Sequence, residues 1–263
     1  MDDWYSQSLE QKKTWYNADA YYQARPSYPP QLIDRAISLA GLAAGARLLE
    51  IGCGPATATV PLARRGFSVV GLEINPDSAQ LAAQLCHPFP QVKIINTAFE
   101  TWPGGQFDAI VAATSFHWLD EQISYAKAAA TIKNGGPLIL LWNTEPQLPP
   151  QIHQSLNDLY LSYGLGLHHD LTARESLIHS LGQRVVASGY FCNLIMEKTI
   201  TPVSYDLDRY MMLLTTLSPY IALAQRDREE LLQKLRSRLQ KIWSGEVTLH
   251  YLSALQIAWP VPR

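Results

Sequence analysis

Short apolar runs alternate with helix-like stretches along the first half of the chain. Five apolar runs are bounded by turn residues, as buried parallel strands are: residues 47–51, 67–74, 92–98, 107–113 and 137–143. Helix-like stretches cover residues 31–42, 75–85 and 120–136, with Asn75 placed to cap the second and Asn134-Gly135 to end the third. Repeated βα units of this kind predict an open, mostly parallel sheet with helices on both faces.

The pattern changes after Pro149-Pro150. Residues 151–190 are mainly helix-like, and a strand pattern follows at residues 192–200. Helical patterns then occupy residues 205–217 and 219–243, the latter amphipathic and typical of a surface helix, before a long strand pattern at residues 246–261. Two late strands around a helical segment predict an antiparallel pair that completes one edge of the sheet.

Composition limits the function classes. The chain has 263 residues, 47% of them hydrophobic, which is enough for one large domain or a domain with a smaller lobe. A net charge of −2 and a pI near 6.4 argue against a nucleic-acid partner. Three distant cysteines predict neither disulfides nor a metal site. A polar start and short apolar runs predict a cytoplasmic protein with no membrane partner, while the oligomeric state is not readable.

The first strand runs into a turn with two glycines, in the sequence LLEIGCGPATAT at residues 48–59. A dinucleotide fingerprint fits Gly52 and Gly54, but its third glycine position falls on Thr57. Glu50 at the strand end would also repel a pyrophosphate. A P-loop is excluded because no Lys-Ser/Thr pair follows the glycines.

A different ligand fits the same turn. An acid followed by Gly-x-Gly and a small residue spans residues 50–56, and Glu50 is placed to hold an ammonium group directly or through water. Glu73 ends the second strand 21 residues beyond Gly52, where a carboxylate accepts both hydroxyls of a ribose. Ile74 is placed to cover one face of an adenine. S-adenosylmethionine carries the ammonium, the ribose and the adenine, and no phosphate.

These stretches resemble the class I S-adenosylmethionine-dependent methyltransferases, and within them the trans-aconitate-methyltransferase-like branch of small-molecule enzymes. The resemblance is carried by residues 21–29, 48–59, 69–75, 97–103, 107–120 and 215–220. It implies an α/β, Rossmann-like fold with a seven-stranded, mostly parallel sheet, an antiparallel C-terminal hairpin and a helical lid. It also implies one domain over residues 1–263, divided into a lid segment (1–30), a cofactor-binding core (31–143), a helical insertion (144–190) and C-terminal strands with cap helices (191–263).

The resemblance, taken with the turn, implies a set of cofactor contacts. They are Arg25, Glu50, Gly52, Cys53, Gly54, Glu73, Ile74, Ala98, Phe99 and Ala113. Ala98 stands where many relatives carry an aspartate for the adenine amino group, so adenine is expected to be held by the Phe99 backbone and by packing. Arg25 precedes a proline-fixed turn and is expected to hold the carboxylate of S-adenosylmethionine or of an acidic substrate.

Candidate acceptor residues lie past the fourth strand and on the late helices. His117 follows the strand end, where ligands bind in such sheets, and is expected to act as base or as donor to an acceptor oxygen. Trp118 and Tyr21 are expected to form pocket walls, and Tyr210 and Ser218 to cap the pocket. We expect methyl transfer to a carboxylate or hydroxyl oxygen of a small molecule, and the resemblance favours the carboxylate.

Other functions stay open at this point. One is an S-adenosylmethionine-binding sensor or assembly protein without catalysis, although both glycines and both carboxylates of the predicted site are present. Another is a methyltransferase that acts on carbon or on nucleic acid. The Asn/Asp/Ser-Pro-Pro-Tyr/Phe signature of base methylation is missing after the fourth strand, where ATSFHW stands. An NAD-linked oxidoreductase is opposed by Glu50 and Thr57.

Overall fold

A seven-stranded sheet organises the chain in the computed structural model, which describes residues 17–133, 135–165 and 171–262. The strands are β1 Arg47–Ile51, β2 Ser68–Glu73, β3 Val92–Asn96, β4 Ala109–Ala113, β5 Leu138–Asn143, β6 Phe191–Tyr205 and β7 Val247–Pro260. Their order in the sheet is β3-β2-β1-β4-β5-β7-β6. β1 to β5 are parallel, and β7 runs antiparallel between β5 and β6.

Helices cover both faces of this sheet and build a lobe beyond its antiparallel edge. They are α1 Ala18–Ala24, α2 Pro30–Ala40, α3 Thr59–Arg64, α4 Pro76–Cys86, α5 Glu121–Thr131, α6 Pro150–Ser162, α7 Leu171–Ala187, α8 Leu207–Thr215, α9 Ser218–Ile221 and α10 Gln225–Leu239. A 3₁₀ turn spans Phe116–Trp118. No helix in the described ranges has the length and apolar character needed to cross a bilayer.

Side chains that alternate along the strands divide the core into two layers. Leu49 and Ile51 of β1 pack in one hydrophobic cluster, and Leu48 packs in the other on the opposite face. A third cluster fills the C-terminal lobe, where Leu231, Leu235 and other residues of α8 and α10 pack together. The parallel strand order reverses direction between β1 and β4, and ligands bind at such a point, outside the carboxyl ends of the strands.

Helix boundaries follow local capping. The Asn75 side chain accepts the Ser78 backbone N–H at 2.9 Å, which confirms its expected role at the start of α4. Helix α5 ends at Thr131, earlier than expected. Ile132 is extended and pairs with Phe107 beside the sheet, so tertiary pairing ends this helix before the Asn134-Gly135 signal. Asn134 itself lies outside the described residues.

The prediction of one helix over residues 219–243 is wrong, because the structure has two helices there. The structure has the short α9 and then α10, separated by Ala224 in extended backbone. Tyr220 of α9 is fully buried, and a stripe of leucines on α10 packs into the same cluster. Both helices therefore bury their apolar sides in one core. The strand expected at residues 192–200 extends further, as β6, with a bulge after Cys192.

Candidate functional site

One cavity lies at the carboxyl ends of the parallel strands. Its volume is about 750 Å³, within the range of about 300–1,000 Å³ typical of small-molecule sites. The glycine side of the cavity follows β1, β2 and β3 and includes Gly52, Glu73 and Phe99. The aromatic side follows β4 and β5 and includes His117 and Trp142. Residues of α1, α7, α9 and the turn after α8 complete the lining.

The turn after β1 is held in left-handed backbone. Gly52 has φ 64° and Gly54 has φ 53°, values that glycine adopts without steric cost. A Cβ added at Gly52 would lie 2.7 Å from the Cβ of Ser115, whose hydroxyl donates to the Ile51 carbonyl at 2.5 Å. The sequence suggests that Gly52 is small so that a ligand can approach. The structure adds a reason within the protein, since the turn passes directly against Ser115.

Glu73 lies at the cavity wall and organises the turn. Its carboxylate accepts the Gly54 backbone N–H and the Asn75 backbone N–H, both at 2.8 Å. The residue is only 5% exposed. Burial raises the pKa of Glu73, and these backbone donors oppose that rise. Each carboxylate oxygen has two lone-pair sites, so acceptor capacity remains for ligand hydroxyl groups.

Glu50 lies beneath the same turn. It is fully buried and is not part of the cavity lining. Glu50 lies opposite Gly71 in the strand register, two positions further from the strand ends than Glu73 on the same face of the sheet. The sequence predicts that Glu50 holds an ammonium group either directly or through water. Direct contact is wrong, because Glu50 does not reach the cavity, and contact through water stays a prediction. Thr59 donates to Glu50 Oε2 at 2.6 Å, while Oε1 has no partner within the described ranges.

Burial changes the acid–base behaviour of Glu50. Desolvation raises the pKa of its carboxyl to about 8, the Thr59 hydroxyl opposes the rise, and the charge of Glu73 adds to it. Glu50 is therefore mostly protonated at neutral pH in the structure as described.

Arg25 joins the N-terminal segment to the C-terminal lobe at the cavity. Its Nε donates to Thr216 Oγ1 at 3.0 Å and its Nη2 donates to the Thr216 carbonyl at 2.8 Å. The guanidinium also lies over the ring of Tyr21, 5.1 Å from the centroid. Arg25, Tyr21 and Thr216 all line the cavity.

Hydrogen bonds hold the loop after Arg25 on the sheet. Asn143 Nδ2 donates to the carbonyls of Pro26 and Ser27 at 3.1 and 3.2 Å. Tyr28 shares a hydrogen bond of 2.7 Å with Thr114, a non-glycine residue at φ 54°. A left-handed threonine stores backbone strain, which often marks a ligand site. Thr114 and Asn143 both line the cavity.

Aromatic rings form the wall beyond β4 and β5. The His117 ring lies 4.5 Å from that of Trp118 and 5.3 Å from that of Trp142. Trp142 Nε1 donates to Gln256 Oε1 at 2.9 Å, and Gln256 Nε2 donates to the Ile178 carbonyl at 2.6 Å. Gln256 is 1% exposed, so this buried amide fixes both the indole of the wall and the helix α7 above it.

An ion pair lies at the edge of the aromatic wall. Arg174 Nη2 is 3.3 Å from Glu145 Oε2, and each side chain is 29% exposed. Glu145 follows β5 and Arg174 belongs to α7. Further along α7, Leu177, Ile178 and Leu181 line the cavity with apolar side chains. The wall thus offers an apolar surface with one cation and one anion at its rim.

Known proteins match the part of the chain that carries the turn. Residues 48–136 match the family described as methyltransferase domain. An uncharacterized methyltransferase of Mycobacterium tuberculosis (strain ATCC 25618 / H37Rv) is 34% identical over 130 residues, which cover 49% of this chain and 51% of that protein. The chain thus spans about half the length of the curated relatives it matches. Residues 48–136 therefore carry a methyltransferase domain.

Solved structures share the fold of this methyltransferase domain. A candidate type II methyltransferase from Anaeromyxobacter dehalogenans has a TM-score of 0.63 at 21% identity, over 91% of this chain and 99% of that chain. Phosphoethanolamine N-methyltransferase 2 of Haemonchus contortus, in complex with S-adenosyl-L-methionine, has a TM-score of 0.54 at 15% identity, over 97% of this chain and 60% of that one. The expected Rossmann-like fold with its antiparallel C-terminal hairpin is confirmed.

The match also bears on the cofactor. Domains of this class use S-adenosylmethionine, so the expected cofactor is confirmed at the level of the family. The trans-aconitate-methyltransferase-like branch, the division into segments and the roles of single residues stay predictions.

Most of the site residues expected from the sequence lie together in the cavity. Of the expected cofactor residues, all except Glu50 line it: Arg25, Gly52, Cys53, Gly54, Glu73, Ile74, Ala98, Phe99 and Ala113. His117, Trp118, Tyr21 and Ser218 line it as well.

Tyr210 is the expected acceptor residue that the structure places elsewhere. It is 4% exposed and packs in the C-terminal lobe, 5.1 Å from the ring of Trp243 and edge-on to Tyr205. The inner face of α8 turns toward that core and away from the cavity, so the expectation that Tyr210 caps the acceptor pocket is wrong. The turn after α8 carries the lining residues instead, at Thr216 and Ser218.

Sequence reasoning also missed several lining residues. Trp142 and Asn143 end β5, and an aromatic or polar residue at the carboxyl end of a parallel strand is a usable signal. Leu177, Ile178 and Leu181 recur at helical spacing, which marks one face of α7, although no local signal shows what that face covers. Arg174 on the same helix is expected from the sequence to be a lid cation, and it lines the cavity.

Proposed function

We propose that the chain catalyses the transfer of a methyl group from S-adenosylmethionine to a carboxylate or hydroxyl oxygen of a small molecule. The single observation that supports this best is the shared cavity. One space is lined by the glycine turn with Glu73 on one side, and by His117 and Arg174 on the other. A cofactor site and an acceptor site with no wall between them are what direct methyl transfer requires.

The residues on the glycine side fit the cofactor. Glu73 is a buried carboxylate with acceptor capacity for ribose hydroxyls, and Ile74 and Phe99 offer apolar surface for the adenine. Ala98 has no side-chain acceptor, so the adenine amino group would depend on backbone groups. The Arg25 guanidinium would bind the carboxylate of the cofactor through its positive charge. When bound, S-adenosylmethionine supplies a methyl group activated by a sulfonium.

On the aromatic side, the chain's own residues orient the acceptor. Holding two reactants in line contributes up to about 7–11 kcal/mol to catalysis, and this is the main task of such a site. For a hydroxyl acceptor, the His117 imidazole would accept the proton that leaves the oxygen. For a carboxylate acceptor no base is required, and Arg174 would provide the positive charge that holds it.

The roof over the cavity supports a small acceptor. Helix α7 contributes Leu177, Ile178 and Leu181, and α9 contributes Ser218 and Pro219. Apolar residues here would exclude water from the reacting atoms and strengthen electrostatic contacts within the site. An acceptor enclosed in this way has a limited size, which favours a small molecule over a nucleic acid.

A turnover screen tests the proposal. The purified chain would be incubated with S-adenosylmethionine and panels of organic acids, phenols and lipid intermediates, while release of S-adenosylhomocysteine is followed. We expect turnover with an oxygen acceptor, and Glu73→Ala should abolish it. S-adenosylhomocysteine binding without any turnover would support a non-catalytic binding protein. Turnover only with nucleic acid would refute the small-molecule acceptor.

A further inference from the structure

We infer that Thr216 is a positioning residue, which sets the orientation of Arg25 so that the guanidinium binds the carboxylate of the cofactor's amino acid tail. The inference rests on the proposed function. It starts from a contact between two residues that are 191 positions apart in the chain. Thr216 is 3% exposed and lies directly after α8, whereas Arg25 lies directly after α1.

The geometry of this contact fixes the guanidinium plane. Thr216 Oγ1 donates its single proton to the Leu213 carbonyl at 2.7 Å, so the same oxygen can only accept from Arg25 Nε. The Thr216 carbonyl accepts from Arg25 Nη2. Two bonds from two atoms of one residue prevent rotation of the planar group.

The remaining donors of Arg25 are available to a ligand. A guanidinium has five N–H donors, and Thr216 takes two of them. The other three N–H groups donate to no protein acceptor within the described ranges. Arg25 lines the cavity, so a ligand there can reach them. A planar cation with free N–H groups matches a carboxylate in both charge and shape.

Other bonds hold the N-terminal segment in place independently of Thr216. The Tyr205 hydroxyl donates to the Ala24 carbonyl at 2.5 Å, and Arg209 Nε donates to the Gln23 carbonyl at 3.3 Å. Loss of the Thr216 hydroxyl should therefore change the orientation of Arg25 without releasing α1 from the C-terminal lobe.

A pair of ligands separates positioning from folding. S-adenosylhomocysteine carries the amino acid tail, and 5′-methylthioadenosine has the same nucleoside and sulfur without it. In calorimetry, Thr216→Val should weaken S-adenosylhomocysteine binding about 10-fold and change methylthioadenosine binding less than about twofold. Arg25→Lys should show the same ligand selectivity, because it keeps the charge and loses the planar donor set.

Two control variants are matched to this design. Thr216→Ser keeps the hydroxyl and should bind both ligands as the unmodified chain does. Thr215→Val removes a hydroxyl that also bonds a carbonyl three residues earlier, at 2.7 Å, but Thr215 is exposed and outside the cavity lining. It should leave both affinities unchanged.

The outcomes separate this inference from the function it rests on. Equal effects of Thr216→Val on the two ligands, no effect on either, or the same loss in Thr215→Val would overturn the positioning role. Those results would leave the cofactor site intact. Failure of the unmodified chain to bind either ligand would overturn the proposed cofactor site, and the role of Thr216 with it.

Discussion

The buried Glu50 carboxyl makes the stability of the ligand-free protein depend on pH. Its pKa is raised from 4.5 to about 8 by burial, so the folded state favours the protonated form. The contribution of the protonated Glu50 carboxyl to the free energy of unfolding is fully present below pH 4.5. It is lost as pH rises through the folded value near 8. Glu50→Gln removes the titration and keeps a side chain of similar size.

The magnitude follows from the two pKa values. Between pH 5 and pH 7 the carboxyl is largely ionised in the unfolded chain and largely protonated in the folded one. Each pH unit in this window changes the free energy of unfolding by about 1.4 kcal/mol at most. The unmodified protein should therefore lose about 2–3 kcal/mol relative to Glu50→Gln between these two pH values.

Urea unfolding of both proteins at pH 5, 6 and 7 measures this difference. Taking the difference between variants removes the contributions of all other titrating groups. Glu197→Gln is a suitable control, because Glu197 is on the surface and its pKa is lowered by Arg35. Because the pKa of Glu197 is lowered, its contribution to the free energy of unfolding is present above its unfolded pKa and is lost as pH falls. The difference in the free energy of unfolding between Glu197→Gln and the unmodified protein should therefore stay nearly constant above pH 5.

A constant difference between Glu50→Gln and the unmodified protein across this window would refute the reasoning. It would mean that Glu50 stays ionised in the folded state. In that case a positive charge or additional donors must reach the Oε1 atom that has no partner in the described structure.

Three further predictions concern the cavity. Glu73→Gln places an amide where the carboxylate accepts backbone N–H groups, and calorimetry should show S-adenosylhomocysteine binding weakened by about 1.5–3 kcal/mol. Gly52→Ala places a Cβ 2.7 Å from another side-chain carbon and should destabilise the fold by about 1–3 kcal/mol in urea unfolding. Gly66→Ala, also at positive φ but with open space around it, should cost less. With a hydroxyl acceptor His117→Ala should lower kcat about 100-fold, whereas with a carboxylate acceptor Arg174→Ala should raise KM and leave kcat unchanged. Steady-state kinetics on the acceptor found by the screen distinguishes these two results.

The fold could be predicted from the sequence because its signals are local. Each parallel strand is a short apolar run between turn residues, and several helices begin at a capping Asn or Asp that the sequence shows, such as Asn75. The glycine side of the cavity could be predicted for the same reason. Gly52 directly follows β1 and Glu73 ends the neighbouring parallel strand β2, and the carboxyl ends of such strands meet at one edge.

The aromatic side was less predictable because its contacts are distant in sequence. Tyr210 and Ser218 lie only eight residues apart in the sequence, yet one packs in the lobe and the other lines the cavity. Helical spacing shows which residues share a face and does not show what the face meets. Gln256 bonds to Trp142, 114 residues earlier in the chain, and to Ile178 of α7, 78 residues earlier. No local sequence pattern encodes these contacts.

Glu50 and Glu73 show where a motif and a structure differ. Both are acids near the ends of neighbouring strands, and the sequence predicts a ligand group for each, an ammonium for Glu50 and ribose hydroxyls for Glu73. Glu73 is the last residue of β2 and lines the cavity, whereas Glu50 is one residue short of the end of β1. In the register of β1 and β2, Glu50 lies opposite Gly71, so the two acids share one face of the sheet. Glu50 is set back by two positions from Glu73, which places it under the turn, next to Thr59. The acid of the motif therefore acts first on the turn that holds the cofactor site, and any effect it has on a ligand must pass through that turn or through water.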